Sequence, residues 1–559
     1  MFKIISPKLI LISIFIVYSF LISGCSDEAM TDDTVRYALE SEPSTLDPAK
    51  STALAESNVE LALFEGLTRL DEHEQPQPAA AKSWDISPDG TEYTFHLRDN
   101  LLWNDGTPLT AHDFEYAWKR VLDPQTASEN TYMMYPLNNG EAFFKQEVSA
   151  DQVGVKALDD KTLYVKLKAP ITYFLNLTAF HAYYPVPRHV VEKDPEIWAA
   201  NDKIVSNGPF VLTHWIHSNQ LQFVKNDKYW DKDKVKLENM QWPISESQST
   251  RVSMVESGQA NITVEPPISE QERLTKEGLF KMSPYLGSYY YSFNTQKAPF
   301  DNPLVRKAFS MAVDRKKLVN NVIKGGKEPA YAWVPPGLTN PITKQDFRRE
   351  GGNLVEYNPQ KARELLSEAG YPNGEGLPPI IILYNTNEMH KAVAEVIQAM
   401  WKENLNVNVE LLNQESKVYL DARNTGNFQV ARASWIGDYA DPMTFMDVYL
   451  DENNDGQYHN PLYNDLIRKA QNTNNQEIRM QAMHEAEKIL MDDAVVLPIY
   501  YTTQPYIAQP YVKNYRWSIL GTIDFKEAYI ENSPSKTSRY ISSIGQHTSK
   551  AATIRHATV

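Results

Sequence analysis

The sequence predicts an α/β protein built as two or three lobes, and three observations lead there. At 559 residues the chain exceeds what one hydrophobic core ordinarily serves. Its first third alternates short strand patterns with tight turns, in an α+β style. Residues 379–412 instead run strand, helix, strand, the unit from which parallel sheets are made. Composition is that of a globular chain, 42% hydrophobic and 23% charged.

Lys3 and Lys8 flank the start of a chain whose residues 9–23, "LILISIFIVYSFLIS", form an apolar run. This pattern is a secretory signal, too short for a comfortable membrane span. It ends in "ISGC", and Cys25 is the single cysteine of the chain. The motif resembles the bacterial lipobox, which implies cleavage before Cys25 and two acyl chains on it, enough for stable anchoring. The folded part is then extracytoplasmic, free of disulfides, and held on the acidic tether "SDEAMTDD" (26–33). Without Lys3 and Lys8, 53 basic residues face 71 acidic ones. A nucleic acid partner is excluded on that balance, since phosphate binding needs a basic face.

"SPDG" (87–90) turns into "TEYTFHLR", where Tyr93, Phe95 and Leu97 alternate with polar residues as on a half-buried strand. After the turn "NDG" (104–106), Thr110 caps a helix, with Asp113 as the acidic variant of a capping box. Asn302 and Pro303 open a helical pattern that continues through "LVRKAFSMAVDRKKLVNNVI"; Asn358 and Pro359 open another, which stops at Gly370. The strand "IIILYN", a helix from about Met389 to Glu403 and the strand "VNVELL" make the crossover unit. Two helices near 461–472 and 476–492 precede "VVLPIYY". The Ser/Thr-rich tail lacks periodic apolar residues and reads as disordered.

Catalytic patterns are scarce. There is no G-x-S-x-G, no H-E-x-x-H and no Walker loop; "HEAEK" has Lys488 where a second His is needed. His214 and His217 fall on opposite faces of a strand and cannot share a metal. Asp451, Asn453, Asp455 and Gly456 open half a calcium loop, but Leu462 stands where a bidentate Glu belongs; an Asx-rich turn is the alternative. No cofactor and no resident metal are expected. The stretch "ARASWIGDYADP" (431–442) is the one with chemistry: it sets Arg432, Asp438 and Asp441 close to Trp435 and Tyr439. A carboxylate among aromatics needs a cation, because an isolated buried charge is costly. Asp438 and Asp441 as an acid/base pair are the hydrolytic alternative.

That stretch, together with "DISPDGTEYTFHLRDNLLWNDGTPLTAHDFEYAWKRVLDPQTAS" and "YLGSYYYSFNTQKAPFDNPLVRKAFSMAVDR", resembles the oligopeptide-binding proteins (solute-binding family 5) of bacterial ABC importers, over about residues 35–530. The resemblance implies an α/β fold of the two-lobed periplasmic-binding-protein type II, with an extra α+β domain and a hinge-closing cleft. Its implied boundaries are signal 1–24, tether 25–34, lobe I in 35–54, 180–265 and 503–530, extra domain 55–179, lobe II 266–502, and tail 531–559. It also implies a monomeric, non-enzymatic receptor that hands short peptides to a membrane permease and its ATPases.

The same resemblance implies site residues. Asp438 holds the peptide α-ammonium. The peptide lies extended between Pro43, Ser44 and Thr45 on one side and Ala433, Ser434 and Trp435 on the other, where backbone hydrogen bonds read any main chain. Arg432, Lys297 and His390 meet the carboxylate according to ligand length, and His390 also falls in the first turn of its helix, which favours an anion. Tyr500 and Tyr501 match pocket-lining positions. Ser416 replaces an expected tryptophan, and Asn130 stands ahead of a shifted Tyr132, both leaving room around ligand side chains. The plainer alternatives are an ion pair of Arg432 with a structural acid, an incidental His390, and tyrosines that only pack. Narrower ligands (a dipeptide, a cell-wall peptide, a signalling peptide or nickel) fit the same fold. A surface peptidase using Asp438 and Asp441 is the rival from another class.

Overall fold

The computed structural model describes residues 33–199, 204–451, 454 and 456–531. The signal, Cys25, most of the tether and the tail from 532 lie outside the described residues. One sheet organises the molecule. Its strands run in the order Val409–Gln414, Ile380–Asn385, Val430–Ile436, Phe280–Phe293, Val496–Ala508, Ile262–Val264, Val35–Ala38, Asn239–Pro243, Gln220–Lys225 and Phe210–Ile216. The short strand Glu328–Pro329 adds to Val496–Ala508.

Two strands of this sheet are far longer than the rest, and both lobes share them. Phe280 packs with Val252, Leu274 and Ile507, whereas Tyr289, Tyr291 and Phe293 pack with Phe309, Ile397 and Trp401. The antiparallel register of Phe280–Phe293 with Val496–Ala508 slips between Pro284 and Ser288. There Leu286 leaves the ladder: its amide donates to Ile519 O at 2.7 Å, and its carbonyl accepts from Gly437 N at 2.8 Å. Gly287 is needed at this slip, since a Cβ would sit 2.4 Å from Ile436 Cδ1 and 2.5 Å from Thr502 Oγ1. The expected lobe boundaries at 266 and 503 fall before the first shared strand and inside the second.

The expected crossover unit forms. Ile380–Asn385 pairs parallel with Val409–Gln414, and the helix Glu388–Leu405 crosses between them with Val393, Ala394, Ile397 and Trp401 buried. Asn387 caps that helix by accepting from Met389 N at 2.8 Å and His390 N at 3.2 Å, a contact worth about 1 kcal/mol. Core residues lie on both faces of this lobe, around Trp401 on one side and around Trp333, Phe445 and Met483 on the other.

The hairpin-rich first third makes a four-stranded sheet, Ala81–Ile86, Glu92–Leu97, Thr162–Lys166 and Val155–Asp159. Its Phe95, Trp118 and Leu163 belong to the same core as Tyr37, Leu221 and Trp242 of the other lobe, so these two parts are packed as one body. Asp113 caps as expected, accepting from Thr110 N at 2.8 Å. Val35–Ala38 lies parallel to both of its neighbours, Asn239–Pro243 and Ile262–Val264.

One helical expectation is corrected. The pattern after Asn302 does not run on as a single helix. Pro303–Met311 ends, Asp314 starts Arg315–Leu318 by accepting from Lys317 N at 2.9 Å, and Val319–Ile323 forms a π turn. A short acidic side chain that bonds the backbone ahead of it competes with helix continuation. The carbonyl of Met311 is meanwhile taken by Asn358 N at 2.9 Å.

No helix among the described residues is long and apolar enough to cross a membrane. Of the half calcium loop, Asn453 and Asp455 lie outside the described residues, and Asp451 Oδ2 meets His459 Nδ1 at 2.6 Å.

Candidate functional site

The strand Val430–Ile436 carries the site. One edge pairs along its whole length with Phe280–Phe293, from Val430 opposite Phe293 to Ile436 opposite Gly287. The other edge pairs with Ile380–Asn385 only at Val430 and Ala431. Past them the Tyr419 hydroxyl donates to the Arg432 carbonyl. Ala433, Ser434, Trp435 and Ile436 therefore have no strand on this edge among the described residues. An open edge of this kind accepts an extended chain as an added strand. Trp435 is fixed beside it by its Nε1, which donates to Thr444 O at 2.7 Å.

At the end of the strand the chain turns through Gly437 into Asp438, whose amide donates to Thr444 Oγ1 at 3.0 Å. The Asp438 carboxylate is half-buried, and no described Lys, Arg or His pairs with it. Burial pushes its pKa up to about 6. Behind it Asp447 is pushed up to about 7, by burial first and then by the charge of Asp438, while accepting from Tyr439 OH at 3.3 Å. The exposed Tyr132 is close enough for the Asp438 charge to raise its pKa too, though burial raises it more. Asp441 is a different case. Arg479, 1% exposed, grips it with both guanidinium ends, Nη1 to Oδ2 at 2.9 Å. The acid/base pairing of Asp438 with Asp441 thus has no free base in Asp441. Tyr439 stacks on Tyr173 at 4.3 Å and 7°, pinning the Asp438 loop to the hairpin-rich region.

Arg432, at the opposite end, has no acid paired with it among the described residues either. Its guanidinium lies 4.8 Å from the Tyr289 ring centre, with long contacts from Nη1 to Asn385 Oδ1 at 3.4 Å and from Nη2 to Ser434 Oγ at 3.3 Å. Its Nε is buried without a partner. His390 Nδ1 meets Tyr289 OH at 3.1 Å, and burial, then the charge of Arg432, lowers its pKa to about 4. It is therefore a neutral hydrogen-bonding group near pH 7. Tyr500 stacks on Tyr289 at 4.7 Å and 12°, completing one cluster with Arg432 and His390.

Other candidates fall elsewhere. Tyr501 is buried and its hydroxyl donates to Ala332 O and accepts from Ala332 N, both at 3.2 Å, so it packs. Lys297 is exposed in the loop beyond Phe293, where no hydrogen bond or ion pair ties its side chain to the Arg432 cluster. Ser416 opens the helix Ser416–Asn424, and its side chain lies outside what is described. The Pro43–Thr45 segment is held by Glu56, which accepts from Ser44 N at 2.9 Å and Thr52 N at 2.8 Å. Ser44 remains exposed. Asn130 is buried and donates to Ser51 O at 2.8 Å. Two site residues escaped the sequence reading, Tyr289 and Asp447, while Tyr132 was noted there only for its shifted place. Only Tyr289 left a signal there, in the tyrosine run of "YLGSYYYSF".

Comparison with known proteins decides the family. The family model of bacterial extracellular solute-binding proteins, family 5, matches residues 75–457. The chain belongs to this family. The dipeptide-binding protein DppE of Bacillus subtilis is 38% identical over 514 residues, covering 90% of this chain and 94% of the relative. The solved structure of the murein tripeptide-binding protein MppA, unliganded and open, superposes with a TM-score of 0.78 at 35% identity, over 89% of this chain and 97% of that one. The Listeria monocytogenes OppA structure bound to peptide gives 0.71 at 30% identity, over 90% and 100%. The fold of this family 5 protein is thus the two-lobed α/β arrangement expected from its sequence.

Proposed function

We propose that this family 5 protein binds short peptides in the cleft between its lobes, with the peptide α-ammonium at Asp438, and delivers them to an ABC import permease. The observation that carries the reading is a half-buried carboxylate without a paired cation among the described residues, at the end of a strand edge that no described strand covers. The α-ammonium is a cation that every linear peptide with a free N-terminus brings, and the edge at 433–435 bonds any main chain. Closure of the lobes would bury the pair and strengthen a charge-assisted contact. In this reading Pro43, Ser44 and Thr45 face the peptide from the other lobe. Arg432 and neutral His390 receive its carboxylate, Tyr500 lines the cluster, and Lys297 serves only longer ligands. Ser416 leaves space for side chains.

The names of the relatives support the same ligand class, with dipeptide- and murein-peptide-binding proteins among them. The protein acts outside the cytoplasm tethered through diacylated Cys25, an assignment resting on the "ISGC" motif, and as the monomer that the family resemblance implies. Binding rather than peptide hydrolysis is favoured by the grip of Arg479 on Asp441. Native mass spectrometry of the purified protein tests this: co-purifying peptides are expected, and added peptides should be recovered intact. New peptide termini would reveal a peptidase, and absence of binding by any peptide would remove the proposal.

A further inference from the structure

We propose that Tyr173, in the hairpin-rich region, is a positioning residue for Asp438: from across the junction it holds the loop that carries the ammonium site. The inference rests on the peptide-binding reading and gives the hairpin-rich region a part in it. The loop leaves the strand Val430–Ile436 at Gly437, whose amide donates to Leu286 O at 2.8 Å. It is caught again at Asp441, which Arg479 grips and whose Oδ1 accepts from Met443 N at 2.8 Å. In between, the Asp438 amide is on Thr444 Oγ1 at 3.0 Å, and the Tyr439 hydroxyl reaches Asp447 Oδ2 at 3.3 Å, a long contact. Arg479, Met443, Thr444 and Asp447 all belong to the lobe that carries the loop.

The Tyr439 ring is fixed from the other body. Tyr173 lies on it face to face, with 4.3 Å between centres and 7° between planes. Tyr173 itself stands on a firm base. Its carbonyl accepts from Asn176 N at 2.9 Å and Leu177 N at 3.2 Å, and the next residue, Phe174, is buried against Tyr93 with ring centres 5.0 Å apart. The Arg479 guanidinium lies 5.7 Å from the Tyr173 ring centre, so the residue that grips Asp441 also faces the stack. Both tyrosines pack against the core around Trp118 and against the core around Trp333 and Met483, which places the pair where the two bodies meet. A ring seated this way restricts the loop before any ligand arrives. Without it, binding of an ammonium must also order the loop around Asp438, which lowers affinity. A second contact joins the same two bodies: Asn474 Nδ2 donates to Pro88 O at 2.7 Å. Neither of those residues belongs to the loop 437–441, so this contact is the control.

Calorimetry on the purified full-length protein tests this with an alanine tripeptide in three forms: free, N-acetylated and C-amidated. In the native protein acetylation should weaken binding about a hundredfold. Tyr173→Ala should weaken the free form about tenfold and leave the acetylated form unchanged, so that the penalty for acetylation shrinks. The penalty for amidation should stay as it is in the native protein. Tyr173→Leu, which keeps apolar bulk without a ring, should act as Tyr173→Ala does, and Tyr173→Phe should act as the native residue. Asn474→Ala should alter neither penalty. Hydrogen exchange of the amides at 437–441 should quicken in Tyr173→Ala and Tyr173→Leu, and in neither of the other variants. An unchanged acetylation penalty in Tyr173→Leu overturns the role, whether or not all three forms weaken together. The same loss in Asn474→Ala also overturns it, since the effect would then belong to contact between the lobes in general. If the native protein binds no peptide, or binds the acetylated form as well as the free one, the peptide reading itself fails and takes this role with it.

Discussion

At one end of the strand Val430–Ile436 the chain leaves a carboxylate beside other acids and rings; at the other it leaves a guanidinium among hydroxyls and ring faces. Asp438 can neutralise itself, and its pKa moves up to about 6. Arg432 cannot, so ring faces and contacts of 3.3–3.4 Å hold it. The first arrangement defines one position sharply, while the second is looser, with a neutral histidine and two tyrosines sharing the work. On the proposed reading, a cleft built this way fixes the start of its ligand and tolerates variation further along.

The sharpest break of this comparison is Asp438→Ala. It should cost about 3 kcal/mol in peptide affinity, a loss on the order of a hundredfold. N-acetylation of the peptide should cost the same, and the combination far less than the sum, because both remove one contact. Fully additive losses by calorimetry would mean the two groups do not meet. Asp441→Ala should instead strike stability, since it leaves buried Arg479 unpaired, at about 3 kcal/mol. A melting temperature lowered by several degrees with near-normal affinity is expected; normal melting with lost affinity would exchange the roles of the two acids.

Acidity sharpens the contrast. In the free protein Asp438 takes up a proton as pH falls through about 6. A bound ammonium favours the ionised form and lowers that pKa, so binding below pH 6 must release a proton. Affinity should then fall by up to about tenfold per pH unit under 6, stay level near 7, and fall again as the peptide α-amino group loses its proton at about 7.7–8.0. Calorimetry at pH 5.5 in two buffers of different ionisation heat should show the proton release in the native protein and none in Asp438→Asn. Arg432→Gln comes next, at about 1.5 kcal/mol for peptides with a free carboxylate and nothing for their amides. Ser416→Trp should be smallest, reducing affinity for bulky side chains only; a uniform shift across peptides would place Ser416 away from the ligand.

Asp438 and Arg432 were legible in the sequence because the problem they pose is local: charges set among aromatics within a few residues. The crossover unit was legible for a similar reason, since periodicity changes between strand and helix within 379–412. The helix break at Asp314 was ambiguous, as one side chain could serve either a continuing helix or a new cap. Asp447 lies near Asp438 only through tertiary contact, and nothing in its own neighbourhood marks it, while Tyr132 stood out by its shifted place but not as a neighbour of Asp438. The slip at Gly287 has only the glycine itself as a mark in "YLGSYYYSF". Tyr501 was matched by resemblance alone, and the sequence could not show that its hydroxyl is bonded to Ala332.

If the chain is held through a lipid at Cys25, as we propose, the strand Val35–Ala38, parallel to both neighbours, has a mechanical meaning. Tension carried along the tether reaches the fold at this strand and runs along its axis. The hydrogen bonds on both sides then share the load in shear and must rupture together, rather than opening one at a time as a peeled hairpin does. The force stops in the body formed by this lobe and the hairpin-rich region, and the opposite jaw hangs outside the loaded path. On that reading, tension applied through the anchor reaches the cleft by way of the two strands that both lobes share.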